Sequence, residues 1–161
     1  MQVREYDDGD WTQVWTIIHD VVREAATFPF DPDMTEQQAR AVWIEAPPGL
    51  TAVAAEDGQV LGTAKMGPNR SGPGAHVSTA SFMVAAGARG RGVGDALCRF
   101  ALDWARGHGY AGMQFNAVAE SNTTAVRLYQ RHGFEILGTV PRSFAHPTRG
   151  RVGLHLMYLE F

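Results

Sequence analysis

The chain has 161 residues, of which 45% are hydrophobic and 19% are charged, and its formal net charge is −3. This size and composition predict a single domain, residues 1–161, with one sizeable core. A weakly acidic chain lacks the general field that draws proteins to nucleic acid or to anionic membranes, and no apolar window is long enough to span a bilayer. We therefore expect a cytoplasmic protein with no nucleic-acid partner and no membrane association.

The first third of the chain predicts a strand followed by two helices. QVREY has the pattern of a short strand, and Asp8 or Asp10 is suited to cap the next helix. The apolar residues of that helix recur at helical spacing and are Trp11, Val14, Trp15, Ile18, Val21, Val22 and Ala25.

A second helix is predicted after the proline-broken loop TFPFDPD, because Thr35 and Gln38 form a capping box. Its residues expected to face the core are Ala39, Val42 and Trp43. Two strand-like runs, LTAVAAE and VLGTAKM, then flank Asp57-Gly58. This dipeptide suits a tight hairpin because both positions tolerate positive φ.

The glycine- and proline-rich segment GPNRSGPG predicts a loop before a further strand, AHVSTASFMV. The helix that follows starts near Val93, ends at Gly107 or Gly109, and leads to the strand YAGMQFNAV. This strand-helix-strand unit is long enough for parallel pairing. The single cysteine, Cys98, lies in the apolar pattern of the helix, so we interpret it as a core residue rather than a nucleophile.

The last part of the chain predicts one more helix, from Asn122 to Gly133, and two closing strands. These strands, FEILGTV and VGLHLMYLEF, are predicted to flank a loop, PRSFAHPTRG. The element order favours a mixed α/β fold with one sheet and helices on both faces. The six histidines have no paired ligand spacing, so we expect no metal site.

The stretch RGRGVGDAL, residues 89–97, places three glycines between a strand and a helix. Bare backbone N–H groups at the positive end of a helix form an anion site, and phosphate is the expected ligand. A P-loop would need Gly-Lys-Ser/Thr, but Asp95 and Ala96 follow Gly94. The dinucleotide fingerprint would need a glycine at the position of Asp95, so neither template fits.

Two motifs carry a resemblance to a known family. Arg89-x-x-Gly92-x-Gly94 is similar to the pyrophosphate-binding signature of the acetyl-CoA-dependent GCN5-related N-acetyltransferases (GNAT). NTTAVRLYQRHGF, residues 122–134, is similar to the same family's Asn-x-x-Ala-x-x-Leu-Tyr-x-x-x-Gly-Phe pattern at every named position. The resemblance implies a mostly antiparallel sheet with a splayed central parallel strand pair.

The resemblance also implies acetyl-CoA as co-substrate, with its pantetheine arm along the splayed strand and its pyrophosphate at the glycine cluster. The residues implied to hold it are Phe82, Met83, Val84, Arg89, Gly90, Arg91, Gly92, Val93, Gly94, Asp95 and Asn122. Asn122 is also suited to be the N-cap of its helix. Tyr129 matches the family tyrosine that protonates the departing thiolate, and a phenol with a pKa of about 10 can act as a general acid.

The implied reaction is direct attack by a primary amine, of a small molecule or of a peptide amino terminus, in a ternary complex. A strand N–H near Val84 would polarise the thioester carbonyl. The alternative is a non-catalytic acyl-CoA-binding or sensing domain. The family resemblance also implies a homodimer through edge strands or exposed helices.

The base that removes the proton of the amine is open, because the strand before the glycine cluster lacks the glutamate that many relatives place there. His76, Ser81, Glu120 and a water chain are the candidates.

The acceptor is open as well. The resemblance implies a pocket lined by TFPFDPD and PRSFAHPTRG, which supply residues of opposing character. These are Phe28, Phe30 and Phe144 for an apolar wall, Asp31 or Asp33 for a cationic amine, and Arg142 and Arg149 for an acidic acceptor.

Overall fold

The computed structural model describes all 161 residues. Its strands are β1 (Gln2–Glu5), β2 (Leu50–Glu56), β3 (Gln59–Pro68), β4 (Val77–Val84), β5 (Gly112–Ala119), β6 (Glu135–His146) and β7 (Gly150–Glu160). Its helices are α1 (Trp11–Glu24), α2 (Glu36–Trp43), α3 (Val93–Gly107) and α4 (Thr123–Arg131). None of these helices has the length and apolar character that a membrane span requires.

The strands form one seven-stranded sheet in the order β1-β2-β3-β4-β5-β7-β6. Every neighbouring pair is antiparallel except β4 and β5, which are parallel. This confirms the predicted mixed, mostly antiparallel sheet with a central parallel pair.

The central pair separates soon after it forms. β4 and β5 are in register only at Val77 with Gly112 and at Ser78 with Met113. The Ser78 hydroxyl donates to the Gly112 carbonyl at 2.9 Å and closes this end. Beyond Ser78, β4 stays paired with β3 as far as Val84, so the predicted splay is present.

Helices cover both faces of the sheet, as predicted. On one face α3 contributes Leu97 and Cys98 to a core that also contains Met113 and Met157 of the second half of the sheet. On the other face α1 and α2 form a second core with residues of β2, β3 and β4. Trp43 is fully buried in that core, and its indole N–H donates to the Thr63 hydroxyl at 3.0 Å.

The start of α1 differs from the prediction. Asp10, one of the two predicted residues, is at the N-cap position of α1, but its side chain makes no cap hydrogen bond. The side-chain cap is that of Asp7 in the short 3-10 turn Asp8–Asp10 before the helix, where its carboxylate accepts from the Gly9 N–H at 2.9 Å. Asp10 instead binds the Arg4 guanidinium at 2.7 and 2.8 Å. Hydrogen bonding to Arg4 holds the pKa of Asp10 below its ordinary value.

The start of α2 and the first hairpin agree with the prediction. Thr35 and Gln38 form the capping box, and Asp57 and Gly58 have φ angles of 50° and 80° at the turn. The expectation for Val42 was wrong, because this side chain points away from the core and is 40% exposed.

The predicted loop PRSFAHPTRG is mostly strand. β6 continues to His146 and leaves only a short turn before β7. The register of β6 against β7 shifts between Ile136 and Gly138 and again between Val140 and Phe144. Bulges of this kind absorb the extra residues, and they explain why a segment with turn-like composition remains in the sheet.

Gly62 of β3 allows α3 to lie close to the sheet. A Cβ atom at this position would be 2.8 Å from Val93 Cγ1, 3.0 Å from the Met83 carbonyl oxygen and 3.1 Å from Leu97 Cδ1. Real Cβ contacts are longer, so the first turn of α3 depends on the missing side chain.

Gly62→Ala is therefore expected to destabilise the protein by about 1–3 kcal/mol, because an added methyl overpacks a filled interface. Gly87→Ala is the matched control, since a Cβ there has no atom within 4 Å. Urea unfolding of both variants measures the difference. Equal midpoints for the two variants would contradict the close packing of α3 on β3.

Candidate functional site

A cleft of about 950 Å³ opens where β4 and β5 separate and extends to the segment between α1 and α2. It is lined by every residue that the sequence predicted for acetyl-CoA binding and proton donation except Arg91. The predicted residues that line it are Phe82, Met83, Val84, Arg89, Gly90, Gly92, Val93, Gly94, Asp95, Asn122 and Tyr129.

The backbone of β4 offers unpaired groups to this cleft. Along the β3–β4 ladder the Ala85 N–H donates to the Leu61 carbonyl at 2.9 Å, and the Val77 carbonyl accepts from Asn69 at 2.8 Å. Since successive residues of an antiparallel strand alternate in direction, Met83 turns its backbone toward β3. Phe82 and Val84 turn their N–H and C=O groups toward the gap, where an extended ligand can pair with them.

The glycine cluster presents a set of free N–H groups at the start of α3. Gly90 and Gly92 have φ angles of 79° and 80°, which suit glycine and expose the backbone. The N–H groups of Arg89 and Arg91 donate to carbonyls within the preceding turns. The N–H groups without an acceptor in the chain are those of Gly90, Gly92, Val93, Gly94 and Asp95.

The two arginines of the cluster form separate ion pairs. The Arg89 guanidinium contacts both carboxylate oxygens of Glu24, at 2.8 and 2.9 Å. Arg91 contacts Glu56 at 2.7 Å and lies outside the cleft. Arg131 of α4 lines the cleft and forms no ion pair. The groups of the cleft that suit an anion are therefore the N–H groups at the start of α3, with the helix dipole, and Arg131.

Asp95 contributes its backbone N–H rather than a free carboxylate. Its side chain is bound by Arg99 and, at 2.9 Å, by His132. Burial acts to raise the pKa of this carboxyl, but the hydrogen bonds from Arg99 and His132 outweigh it and hold the pKa below its ordinary value.

Tyr129 lies on α4 within a group of aromatic rings. Its ring centroid is 4.5 Å from that of Phe115 and 6.1 Å from that of Phe82. The residue lines the cleft, and its hydroxyl has no hydrogen-bond partner in the chain. Burial raises the pKa of this phenol well above 10, so it holds its proton at neutral pH.

Cys98 is a core residue, as predicted. It is fully buried, and burial raises the pKa of its thiol to about 12. A thiol in this state is inert at neutral pH.

Asn122 is the N-cap of α4, as its position in the sequence suggests. Its side-chain oxygen accepts from the Ala125 N–H at 3.2 Å. The side-chain NH₂ group has no partner in the chain, and the residue lines the cleft. The cap therefore leaves the amide donor available to a ligand.

The base candidates are separated by the fold. Ser81 lines the cleft, whereas His76 is exposed at the closed end, where its carbonyl accepts from Ala111. Glu120 lies outside the cleft and accepts from the Gly153 N–H. The acidic residues that do line the cleft, Glu24 and Asp95, are both in ion pairs. No group of three or more His, Cys, Asp or Glu side chains is arranged to hold a metal ion.

The acceptor candidates are divided in the same way. Phe28 and Phe30 line the cleft, with their rings stacked at 5.6 Å. The candidates that do not line it are Asp31, Asp33, Arg142, Phe144 and Arg149. Phe144 is instead buried beside Val152 in the β6–β7 hairpin.

Several lining residues were not anticipated from the sequence. They are Glu24, Thr79, Asn116 and Arg131. None belongs to a motif position with an assigned role. Thr79 and Asn116 have only the strand alternation as a signal, and that signal depends on knowing where β4 and β5 separate.

Comparison with known proteins gives a family and several relatives. The model of the acetyltransferase (GNAT) family matches residues 15–134. The structure of a GCN5-related N-acetyltransferase from Kribbella flavida is 52% identical in sequence, with a TM-score of 0.97, and the match covers 99% of this chain and 97% of that chain.

Curated relatives are more distant. A phosphinothricin N-acetyltransferase of Streptomyces coelicolor is 29% identical over 150 residues, covering 86% of this chain and 84% of the relative. Protein SPT10 of Saccharomyces cerevisiae is 31% identical over 85 residues, which are 53% of this chain, and the match spans only 13% of its length.

A phosphinothricin acetyltransferase from Sinorhizobium meliloti, solved in complex with acetyl-CoA, shares the fold. Its TM-score is 0.89 at 18% identity, and the match covers 99% of this chain and 88% of that chain. The family model spans most of the chain, the Kribbella flavida protein matches it over 99% of its length, and residues of both predicted motifs line the cleft. The chain therefore belongs to the GNAT family of acetyltransferases.

Proposed function

We propose that this acetyltransferase moves an acetyl group from acetyl-CoA to a primary amine, either of a small molecule or of a peptide amino terminus, in a ternary complex. The observation that supports it most is the convergence of two sets of unpaired backbone groups in one cleft. These are the free edge of β4 and the N–H groups at the start of α3.

The residues present fit acetyl-CoA. The outward N–H and C=O groups of Phe82 and Val84 suit an extended amide-bearing chain, since they would bind it as a further strand. The free N–H groups of Gly90 and of Gly92 to Asp95 suit a diphosphate, and Arg131 adds an unpaired positive charge on the same cleft. The Sinorhizobium meliloti relative, which contains acetyl-CoA in its structure, supports the same ligand.

Bound acetyl-CoA supplies an acyl carbon activated by sulfur, so that a C–N bond forms to the amine as the C–S bond breaks. The amine loses one proton and the sulfur gains one. Tyr129 is the proton donor in this proposal, because its hydroxyl is free, protonated and on the cleft. The Val84 N–H polarises the acyl carbonyl.

No side chain on the cleft is a free carboxylate or imidazole, so the proton of the amine leaves through water. The same observation favours the second candidate function, an acyl-CoA-binding domain without catalysis. Turnover of any amine separates the two. The homodimer stays a prediction, and sedimentation of the purified chain tests it.

Gly92→Glu is expected to weaken acetyl-CoA binding by about 100-fold, because its carboxylate would repel the diphosphate. Gly109→Glu is the matched control: Gly109 follows the other end of α3 with a φ of 76°, against 80° at Gly92. Isothermal titration calorimetry measures both affinities. Equal losses in the two variants would point to strain in the fold and would contradict a diphosphate at Gly92.

Tyr129→Phe is expected to lower kcat by about 100-fold or more, as the loss of a general acid does. The Kd of acetyl-CoA should change by less than about twofold, since the ring and its packing remain. The control is Tyr110→Phe, because Tyr110 packs against Trp104 outside the cleft. Full activity of Tyr129→Phe would eliminate the proton-donor role.

The raised pKa of Tyr129 also sets the pH dependence. The phenol remains protonated as pH rises through 10, so general-acid catalysis should persist there. We expect kcat/KM to rise from pH 7 to pH 10 as the amine loses its proton, with no descending limb below pH 10. A descending limb centred below pH 10 that disappears in Tyr129→Phe would show an unshifted phenol.

A further inference from the structure

We propose that the acceptor is a monoamine with an apolar body, bound in a vestibule without an unpaired carboxylate on the α1–α2 side of the cleft. This inference rests on the acetyl-transfer function proposed above and names its substrate class. The vestibule is the part of the cleft formed by Phe28, Pro29 and Phe30 together with Thr79 and Ser81 of β4.

The alternation of β4 separates the vestibule from the cofactor side. The side chains of Phe82 and Val84 pack toward the core under α3. Met83 points to the opposite face, into the core under α1 and α2. Thr79 and Ser81 have the same parity as Met83, so their side chains are on the α1–α2 face too. An acceptor held on this face meets the acyl group across the strand gap.

The wall of the vestibule is apolar and well supported. The rings of Phe28 and Phe30 are stacked at 5.6 Å, and Phe28 lies edge-on against the buried Trp43 at 6.2 Å. Both phenylalanines are only half-buried and both line the cleft. Apolar surface that stays open inside a cleft favours a ligand that covers it.

The charge of the vestibule is the second observation. Asp31 and Asp33 are exposed and do not line the cleft. Glu24 lines it but is held by Arg89, and Asp95 faces the glycine cluster, where Arg99 and His132 hold it. Glu45 is held at 3.0 Å by Lys65, the residue of β3 directly opposite Ser81. A second ammonium group on the acceptor would therefore lose its hydration without a counter-charge, which is strongly unfavourable.

The lack of an unpaired carboxylate also explains how an amine could react in this cleft without a side-chain base. An ammonium group without a carboxylate partner in an apolar site loses its proton more easily, because desolvation disfavours the charged form. The vestibule therefore delivers the attacking amine in its neutral form, and water carries the proton away. A carboxylate in the wall would retain the proton on the amine.

The test compares n-hexylamine with 1,5-diaminopentane, which differ by a terminal methyl group in place of an ammonium group. With acetyl-CoA saturating, we expect kcat/KM for hexylamine to exceed that for the diamine by about 100-fold or more. The kcat/KM for phenethylamine should be similar to that for hexylamine. A kcat/KM for the diamine equal to or above that for hexylamine would overturn the inference.

Variants test the cause. Phe30→Asp places a carboxylate in the wall, and it is expected to reduce the preference for hexylamine at least tenfold and to raise the apparent pKa in the kcat profile for that amine. Thr79→Asp adds the charge on β4 instead, so that both aromatic side chains stay in place. Val42→Asp is the control, since Val42 is 40% exposed on α2 outside the cleft. Unchanged preference in both cleft variants would overturn the inference.

Calorimetry with acetyl-CoA distinguishes this inference from the function on which it rests. If acetyl-CoA binds and the diamine is the better acceptor, the substrate class is wrong and the acetyl-transfer function stands. If acetyl-CoA binds and no amine is turned over, the binding-domain alternative is correct. If acetyl-CoA does not bind, the proposed function fails and the inference fails with it.

Discussion

The early separation of β4 from β5 is the constraint on which the site depends. After two residue pairs the backbone groups along one edge of β4 have no partner in the chain, although buried N–H and C=O groups need one. The rest of the fold keeps this edge open. Helix α3 packs across both halves of the sheet and is seated closely by Gly62, so its free N–H groups stay at the mouth of the gap.

The charged side chains of the glycine cluster are neutralised by ion pairs. Arg89 and Arg91 of the glycine cluster are neutralised by Glu24 and Glu56, respectively. Asp95 is neutralised in the same way by Arg99 and His132. What remains for a ligand is mostly backbone: N–H groups at a helix start and the edge of a strand. Such groups are rigid, so they bind without the entropy cost of ordering long side chains.

Local sequence signals predicted the elements that depend on local chemistry. Asp57-Gly58, the Thr35–Gln38 box and the Asn122 cap are where the sequence placed them, because each is determined by residues within a few positions. The motif residues of the site also lie close together in the sequence, so they could be predicted for the same reason.

Non-local features were not predictable. The outward direction of Phe82 and Val84 depends on the β3–β4 register, and Glu24 is 65 residues from Arg89. The bulges that keep PRSFAHPTRG in the sheet depend on the pairing of β6 with β7.

The irregular course of β6 has a consequence for how the protein behaves in concentrated solution. β6 is the last strand of the sheet, and Leu137 and Val140 on it are 57% and 62% exposed. A straight apolar edge of this length would serve as a template for strands of other molecules. The two register shifts and Pro141 interrupt the regular row of donors and acceptors, so a foreign strand finds no continuous ladder to join. An apolar edge interrupted in this way is a poor template for sheet-to-sheet aggregation.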